Sequence, residues 1–333
     1  MENKLGYLLH SGKNPKFVYY AYNYMRRIIP KSLFCFLLKY TLKGAEKRED
    51  YAYILQRVDY YNRLTGNESK NLDGLTLLSE HKLGRQKVYY FDTVQYTRWF
   101  PQNLRWNMCP GDVTFVPDVP SIVKSRPLVP GNENSVLMKL NKIRHFIFVH
   151  DRKSFAEKKN MAVFRGKVGV PEHSLKSVRY RFMQMYYGHP MCDVGEINSR
   201  YANQQWLVKK MTIRAHFDYK FILTLEGNDV ASNLKWVMWS NSLAVMPRPT
   251  CETWFMEGTL IPNYHYVEIK PDFSDLIEKM NYYIAHPDEA QAIIEHAHDY
   301  VRQFRNRKRE KIISLHIAKK RRPIFQFRFA LFF

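Results

Sequence analysis

Short apolar runs divided by polar, glycine-containing turns dominate the second half of the chain. Residues 221–225 (Phe-Ile-Leu-Thr-Leu) form one such run, suited to a strand covered on both faces. Glu226, Gly227, Asn228 and Asp229 break it with residues that tolerate unusual backbone angles. Residues 231–240 are expected to continue as a helix, and residues 243–246 (Leu-Ala-Val-Met) return as a strand. Earlier, residues 161–164 read as a strand and 177–187 as a helix, followed by a turn at Gly188, His189 and Pro190. Later, Asp275 and Glu278 have the spacing of a capping box, ahead of an inward stripe at Leu276, Met280, Tyr283 and Ile284. Pro287 suits the first position of a further helix, with Ile293, Ile294, Ala297, Val301 and Phe304 as its apolar face.

The first half is less regular. Residues 19–43 are basic and aromatic, and read as helical on either side of Pro30. Residues 46–63 keep helical spacing at Tyr53, Leu55, Val58 and Tyr61. Residues 88–92 (Val-Tyr-Tyr-Phe-Asp) and 142–150 have strand-like content, and 111–130 reads as an ordered loop system. No repeat or low-complexity linker occurs, so a domain boundary is expected in a short connection near Lys158. Strands alternating with helices in both halves predict an α/β protein of two Rossmann-like domains facing across a cleft. Strand, turn and helix N-terminus together bring free N–H groups to the carboxyl edge of a sheet, where such proteins hold phosphate.

Composition narrows the partners. The 333 residues are 45% hydrophobic and 15% aromatic, enough for substantial cores, and carry a net charge of +21. That charge calls for an anionic partner: nucleic acid, an acidic membrane or a phosphorylated substrate. No common nucleic-acid-binding module is recognisable, so nucleic acid is set aside. Cys35, Cys109, Cys192 and Cys251 are widely spaced, which reads as reduced thiols and not as a zinc site or disulfide framework. His296 and His298 fall on different helix faces, so no metal site is expected. Residues 5–9 are too short an apolar run for a cleaved leader, and no window reaches the ~18 apolar residues of a membrane span. A cytoplasmic protein is expected.

Particular strings carry a resemblance: Tyr219-Lys220-Phe221, Leu225-Glu226-Gly227-Asn228, Ala231-Ser232-Asn233-Leu234-Lys235 and Ser242-Leu243-Ala244-Val245. It continues through residues 265–270 (His-Tyr-Val-Glu-Ile-Lys) and 272–276 (Asp-Phe-Ser-Asp-Leu), and back to Phe164-Arg165-Gly166. In these the chain resembles glycosyltransferase family 90, which includes bacterial lipopolysaccharide transferases of the LpsA type, fungal capsule xylosyltransferases and animal protein O-glucosyltransferases. The bacterial members are the nearest in pattern. The resemblance implies a GT-B-like arrangement. Residues 1–158 would then face the acceptor, 159–286 would bind the nucleotide sugar, and 287–333 would return a helix toward the N-terminal domain and end in a basic, aromatic tail. It also implies inverting transfer from a UDP-sugar, with no metal or other cofactor.

Residue by residue, the resemblance points to Arg165, Gly166, Glu226, Gly227, Asn228, Asp229, Ser232, Asn233, Lys235, Arg248 and Trp254 as the nucleotide-sugar site. Cations and backbone amides there would stabilise the leaving diphosphate. Many family members carry Arg where this chain has Asn233, which donates hydrogen bonds but has no charge. Lys235, Arg165 and Arg248 are the candidates to replace that charge. Trp254 suits either stacking on uracil or a place in the core. Glu226 suits either a sugar hydroxyl or a salt bridge to Lys220 or Lys235. For the general base, Asp118 in Asp118-Val119-Pro120 matches the family's Asp-x-Pro loop best, with Asp112 as the second choice. Both carboxylates also suit turns beside proline and glycine.

The reading is an inverting hexosyltransferase that uses a UDP-sugar to extend a lipopolysaccharide or lipooligosaccharide core at the cytoplasmic face of the inner membrane. Alternatives are transfer to capsule or another glycan, and a non-catalytic basic protein that binds membrane or nucleic acid. The basic tract 302–328, interleaved with Ile312, Ile313, Leu315 and Ile317, is read as a peripheral anchor on anionic lipid, with residues 19–43 adding to the same surface.

Overall fold

The computed structural model describes residues 12–65, 75–168, 178–198 and 204–320. The expected short apolar run at 5–9, Ser177 and the tract beyond Lys320 lie outside the described residues. The chain divides into two units, one made of Arg144–Thr250 and Glu257–Gln303, the other of Pro15–Ile143, Cys251–Met256 and the chain from Phe304. They are called below the sheet unit and the helical unit.

In the sheet unit five strands lie parallel: β1 (Lys159–Gly166), β2 (Cys192–Glu196), β3 (Tyr219–Leu223), β4 (Leu243–Met246) and β5 (Val267–Glu268). Their order is β2-β1-β3-β4-β5. Every residue of β3 and β4 is buried, which is why these strands read as continuous apolar runs and not as alternating ones. Helices Val178–Tyr186, Leu276–Ala285 and Pro287–Arg302 supply Phe182, Met280 and Ile293 to the core around Phe164, Phe221 and Val245. Gly195 of β2 is required by a close approach, since a Cβ there would lie 2.2 Å from a methyl of Val208.

The expected helix at 231–240 is a single turn, Leu234–Val237. Ser240 ends it by donating its hydroxyl to the Val237 carbonyl. Asp275 does precede the helix Leu276–Ala285, but its side chain makes no cap bond. Its carboxylate instead accepts the Lys270 N–H at 2.8 Å, tying the loop after β5.

The helical unit contains Lys16–Arg26, Lys31–Glu46, Tyr51–Tyr61, Lys87–Thr97 and Arg307–Lys319. The strand expected at 88–92 is therefore a helix. Tyr89, Asp92, Thr93, Tyr96 and Thr97 are buried at helical spacing, and Asp92 accepts both the Tyr19 hydroxyl and the Lys142 N–H. Those partners outweigh the β preference of a Val-Tyr-Tyr-Phe run. At 142–150 the structure has only the short helix Lys142–His145. The loop system at 111–130 contains two short strands, Ser121–Val123 and Ser125–Pro127. The first lies between Met108–Cys109 and Ser135–Leu137 in a parallel sheet, and the second pairs antiparallel with Cys251–Thr253.

Two buried carboxylates organise this unit. Glu252 accepts from Arg126 at 2.8 Å and from the Tyr60 hydroxyl, and neither Glu252 nor Arg126 has an exposed side-chain surface. Glu310 accepts from Arg57 at 2.9 Å, from Lys139 at 2.8 Å and from the Trp254 indole N–H. Burial pushes the Glu310 carboxyl up, but Lys139 and Arg57 outweigh it and hold it below the usual carboxylate range. The apolar residues of Arg307–Lys319 are thereby committed to the interior: Ile312, Ile313, Leu315 and Ile317 are buried. This removes them from the lipid-facing role expected of that tract. Among the described residues no helix is long and apolar enough to cross a membrane.

His216 ends the short helix before β3, with its Nδ1–H donated to the Thr212 carbonyl at 2.7 Å and its ring against Trp236. Burial holds its pKa down at about 4, the largest cause, against the smaller upward pull of the Thr212 bond. The unfolded chain therefore binds the extra proton first, near pH 6.5. Its stabilising contribution is complete above that pH and is lost as pH falls toward 4. At pH 5 the loss is about 2 kcal/mol for this one group. Urea unfolding at pH 7 and pH 5 should show His216→Gln losing less stability on acidification than the parent protein.

Candidate active site

β1 and β3 are neighbours, while β2 and β4 lie outside them, so the strand order reverses between β1 and β3. In open α/β sheets the crevice beyond the carboxyl ends at such a reversal is where ligands bind. Here that edge is formed by Gly166 at the end of β1 and Lys167 after it, Glu196 at the end of β2, and residues 224–229 after β3.

One side chain ties these loops together. Arg179, in the first turn of Val178–Tyr186, donates to the Leu225 carbonyl from Nη2 at 2.9 Å and from Nε at 3.3 Å. It also donates to the Lys167 carbonyl from Nη1 at 3.0 Å. These bonds use three of its five N–H groups, and two have no partner among the described residues. Burial lowers its pKa to about 10, further lowered by Arg144 and opposed by Asp229, Glu196 and Glu226. The group therefore remains cationic at neutral pH. Gly227 leaves room for it, since a Cβ there would lie 3.0 Å from Nη2 and 3.2 Å from Cζ. Glu196 is buried and accepts the Val168 N–H through Oε1 at 3.1 Å, while Oε2 has no hydrogen-bond partner among the described residues. Burial raises its pKa.

The other expected site residues fall as follows. Arg165 reaches sideways along the sheet, pairing with the Asp193 carboxylate at 2.5 Å and with the Asp193 carbonyl at 2.7 Å. Burial raises the Asp193 pKa, but the Tyr219 hydroxyl and Arg165 outweigh it and hold it down. Glu226 accepts the Thr250 N–H at 3.0 Å and the Thr250 hydroxyl at 2.6 Å, joining the loops after β3 and β4. Gly227 and Asn228 are exposed, whereas Asp229 is buried. Ser232 and Asn233 are half-buried, and the Asn233 amide donates to the Leu223 carbonyl at 3.0 Å. Lys235 is fully buried and bonded to Glu257. Arg248 is exposed, 3.6 Å from Glu268.

Trp254 belongs to the helical unit. It stacks on Tyr61 with ring centroids 4.1 Å apart and planes at 9°, and its carbonyl accepts the Tyr61 hydroxyl at 2.7 Å. Asp118 is in the same unit and exposed, and its backbone carbonyl accepts from Asn134 at 3.0 Å. Asp112 is paired with the buried Lys124. Among the described residues no three His, Cys, Asp or Glu side chains converge as metal ligands do. A recess of about 250 Å³ lined by His150, Arg152, Arg214 and Phe217 flanks the amino ends of β1 and β3, the edge away from the reversal.

Sequence reasoning passed over Arg179. Its one available signal is a cation at the start of the helix following the Phe-Arg-Gly strand. The carbonyls it binds lie 46 residues downstream, at Leu225, and 12 upstream, at Lys167.

The fold is that of an α/β protein, and its candidate site lies at the carboxyl ends of parallel strands. A family model described as "Glycosyl transferase family 90" matches residues 135–313. The O-glucosyltransferase LpsA of Dichelobacter nodosus is 42% identical over 238 residues, covering 71% of this chain and 73% of that protein. Uncharacterized protein 035R of Invertebrate iridescent virus 3 is 26% identical over 176 residues, 47% of this chain and 16% of that one. The chain belongs to glycosyltransferase family 90 and is a glycosyltransferase, acting on a sugar donor and a glycan acceptor. The alternative of a non-catalytic binding protein is set aside.

The contact between Gly227 and Arg179 makes the two positions energetically coupled. Gly227→Ala should cost up to about 1 kcal/mol in urea unfolding, because the guanidinium must give by a few tenths of an ångström. In an Arg179→Ala background the same change should cost less, giving a measurable interaction energy.

Proposed function

We propose that this enzyme transfers a hexose, glucose being the first choice, from a UDP-sugar onto a lipopolysaccharide or lipooligosaccharide core, with inversion at the anomeric carbon. The observation that carries the reading is the loop pair at the β1/β3 reversal, with Arg179 between them and two of its N–H groups without a partner among the described residues. The choice of glucose is supported by the name of the Dichelobacter relative. The UDP donor, inversion and metal independence follow from the family resemblance in residues 219–276.

In this reading the sheet unit holds the donor and the helical unit the acceptor, as in a GT-B arrangement. Arg179 stands in for the arginine that relatives carry at the position of Asn233. It meets the diphosphate, with Gly227, Asn228 and Ser232 lining the turn and Glu226 holding it through Thr250. Asp118 takes the proton of the acceptor hydroxyl as its oxygen bonds to the anomeric carbon. The bond from that carbon to the β-phosphate oxygen breaks, and the electron pair leaves with UDP. A carboxylate suits the first role, and a fixed cation suits the second, because it stabilises charge that grows in the transition state. Arg165, Lys235 and Arg248 remain further candidates for the charge, although the first two are already committed to Asp193 and Glu257. The lipid-linked acceptor goes with peripheral attachment to the inner membrane.

Calorimetric titration with UDP, together with donor hydrolysis assays on UDP-glucose, UDP-galactose and UDP-xylose, tests the reading. Arg179→Gln should weaken UDP binding about 10- to 100-fold, as loss of a charge-assisted hydrogen bond does. Asp118→Asn should nearly abolish transfer while leaving UDP affinity within about threefold, since a base acts on the acceptor. Absence of saturable UDP binding to the parent protein would refute the donor assignment. Normal turnover in Asp118→Asn would remove that residue from the mechanism.

A further inference from the structure

The helices Lys16–Arg26 and Lys31–Glu46 are amphipathic in an unusual sense, with an apolar stripe on their outer faces as well as inward contacts. Inward, Tyr19 bonds Asp92, Tyr20 packs against Phe91, Phe34 meets Trp99, and Leu42 and Ala45 are buried. Arg98 clamps the turn between them, donating to the carbonyls of Arg26 at 2.7 Å and Ile29 at 2.5 Å. The hairpin is therefore a built element, and its outward side chains are held in place.

Outward, Val18, Tyr22, Met25 and Ile29 are exposed at spacings of one helical turn, and so are Leu33, Phe36, Leu37 and Tyr40. Phe17 is 83% exposed and Ile28 82%. Phe36 and Tyr40 touch each other in the open, with ring centroids 5.3 Å apart. Contiguous apolar surface of this kind marks an interaction site. The charges beside it identify the partner. Lys16, Arg26, Lys31, Lys39 and Lys43 lie on the same two helices and Arg27 in the turn between them, and no acidic residue occurs between Lys13 and Glu46. Aromatic and aliphatic side chains that enter an acyl boundary, flanked by cations that meet phosphate headgroups, fit the surface of an anionic bilayer. A groove of about 640 Å³ floored by Leu38, Leu42, Trp99 and Phe100 opens beside Lys39 and Lys43, extending the apolar surface on the same helix.

We propose that this hairpin is the surface by which the enzyme lies on an anionic lipid bilayer, a role its C-terminal helix cannot take because its apolar residues are internal. The inference rests on the lipid-linked acceptor proposed above and assigns the attachment to particular side chains. The lysines and arginines supply long-range attraction that salt weakens, and the apolar stripe supplies contact that salt does not.

The test uses full-length protein sedimented with vesicles of phosphatidylcholine alone or mixed equally with phosphatidylglycerol. Partitioning is expected to be at least about tenfold stronger with the anionic lipid, and to fall as salt is raised. Phe36→Ser/Tyr40→Ser and Lys39→Glu/Lys43→Glu should each weaken it about tenfold or more, with unchanged circular dichroism and melting temperature. Gel filtration and UDP titration run on the same samples. No binding of the parent protein to anionic vesicles overturns the proposal, as does a Phe36→Ser/Tyr40→Ser variant that partitions like the parent. A dimer that this variant dissolves, with no vesicle binding, gives the stripe to a second copy instead and also overturns it. UDP binding that persists while vesicle binding is absent leaves the donor assignment intact, and the converse result spares the membrane surface.

Discussion

A single guanidinium joins the loops on which the candidate site is built. Arg179 bridges the chain just past β1 to the chain just past β3 through their carbonyls. Taking a cation out of water is costly unless its donors are satisfied and carboxylates lie near. Three hydrogen bonds and the fields of Asp229, Glu196 and Glu226 meet part of that requirement, and two N–H groups are left without a partner among the described residues. The arrangement also makes position 227 tight, since a Cβ there would lie 3.0 Å from the guanidinium, which would have to give by a few tenths of an ångström. In the proposed reading this cation serves in place of position 233, which holds an uncharged amide bonded to the Leu223 carbonyl.

The helical unit depends on a comparable device. Glu252 and Glu310 are buried carboxylates, each surrounded by cations and hydroxyl or indole donors. Through them the segment Cys251–Met256 and the helix Arg307–Lys319 are held to Arg126 and Arg57. Removing one partner of such a group leaves an uncompensated charge, which makes these contacts far more restrictive than surface pairs. Buried Lys124, Lys158 and Lys235 are likewise matched by Asp112, Asp151 and Glu257. The excess positive charge therefore resides elsewhere, and the acid-free stretch from Lys13 to Ala45 carries part of it on exposed helices.

Charge and hydropathy together distinguish the two proposed contact surfaces. The polar, glycine-containing edge of the parallel sheet suits a phosphate-bearing donor. The apolar, basic hairpin suits a lipid surface. The net charge of +21 by itself locates neither of these proposed partners.

Strands β1, β3 and β4, the turn at 226–229 and the helices after Pro30, Asp275 and His286 were all legible in the sequence. Their signals are local: apolar runs, turn formers and helical spacing within a few residues. Family membership was legible for the same reason, since its motifs are short contiguous strings. The tertiary structure alone decided that 88–92 coils into a helix, because the partners of Asp92 lie at Tyr19 and Lys142. It alone placed Trp254 on Tyr61, turned the isoleucines of the last helix inward, left Phe36 and Tyr40 outside, and set Arg179 between two loops. Each of these depends on what a side chain meets across the fold, and a linear pattern of polar and apolar positions does not encode that meeting.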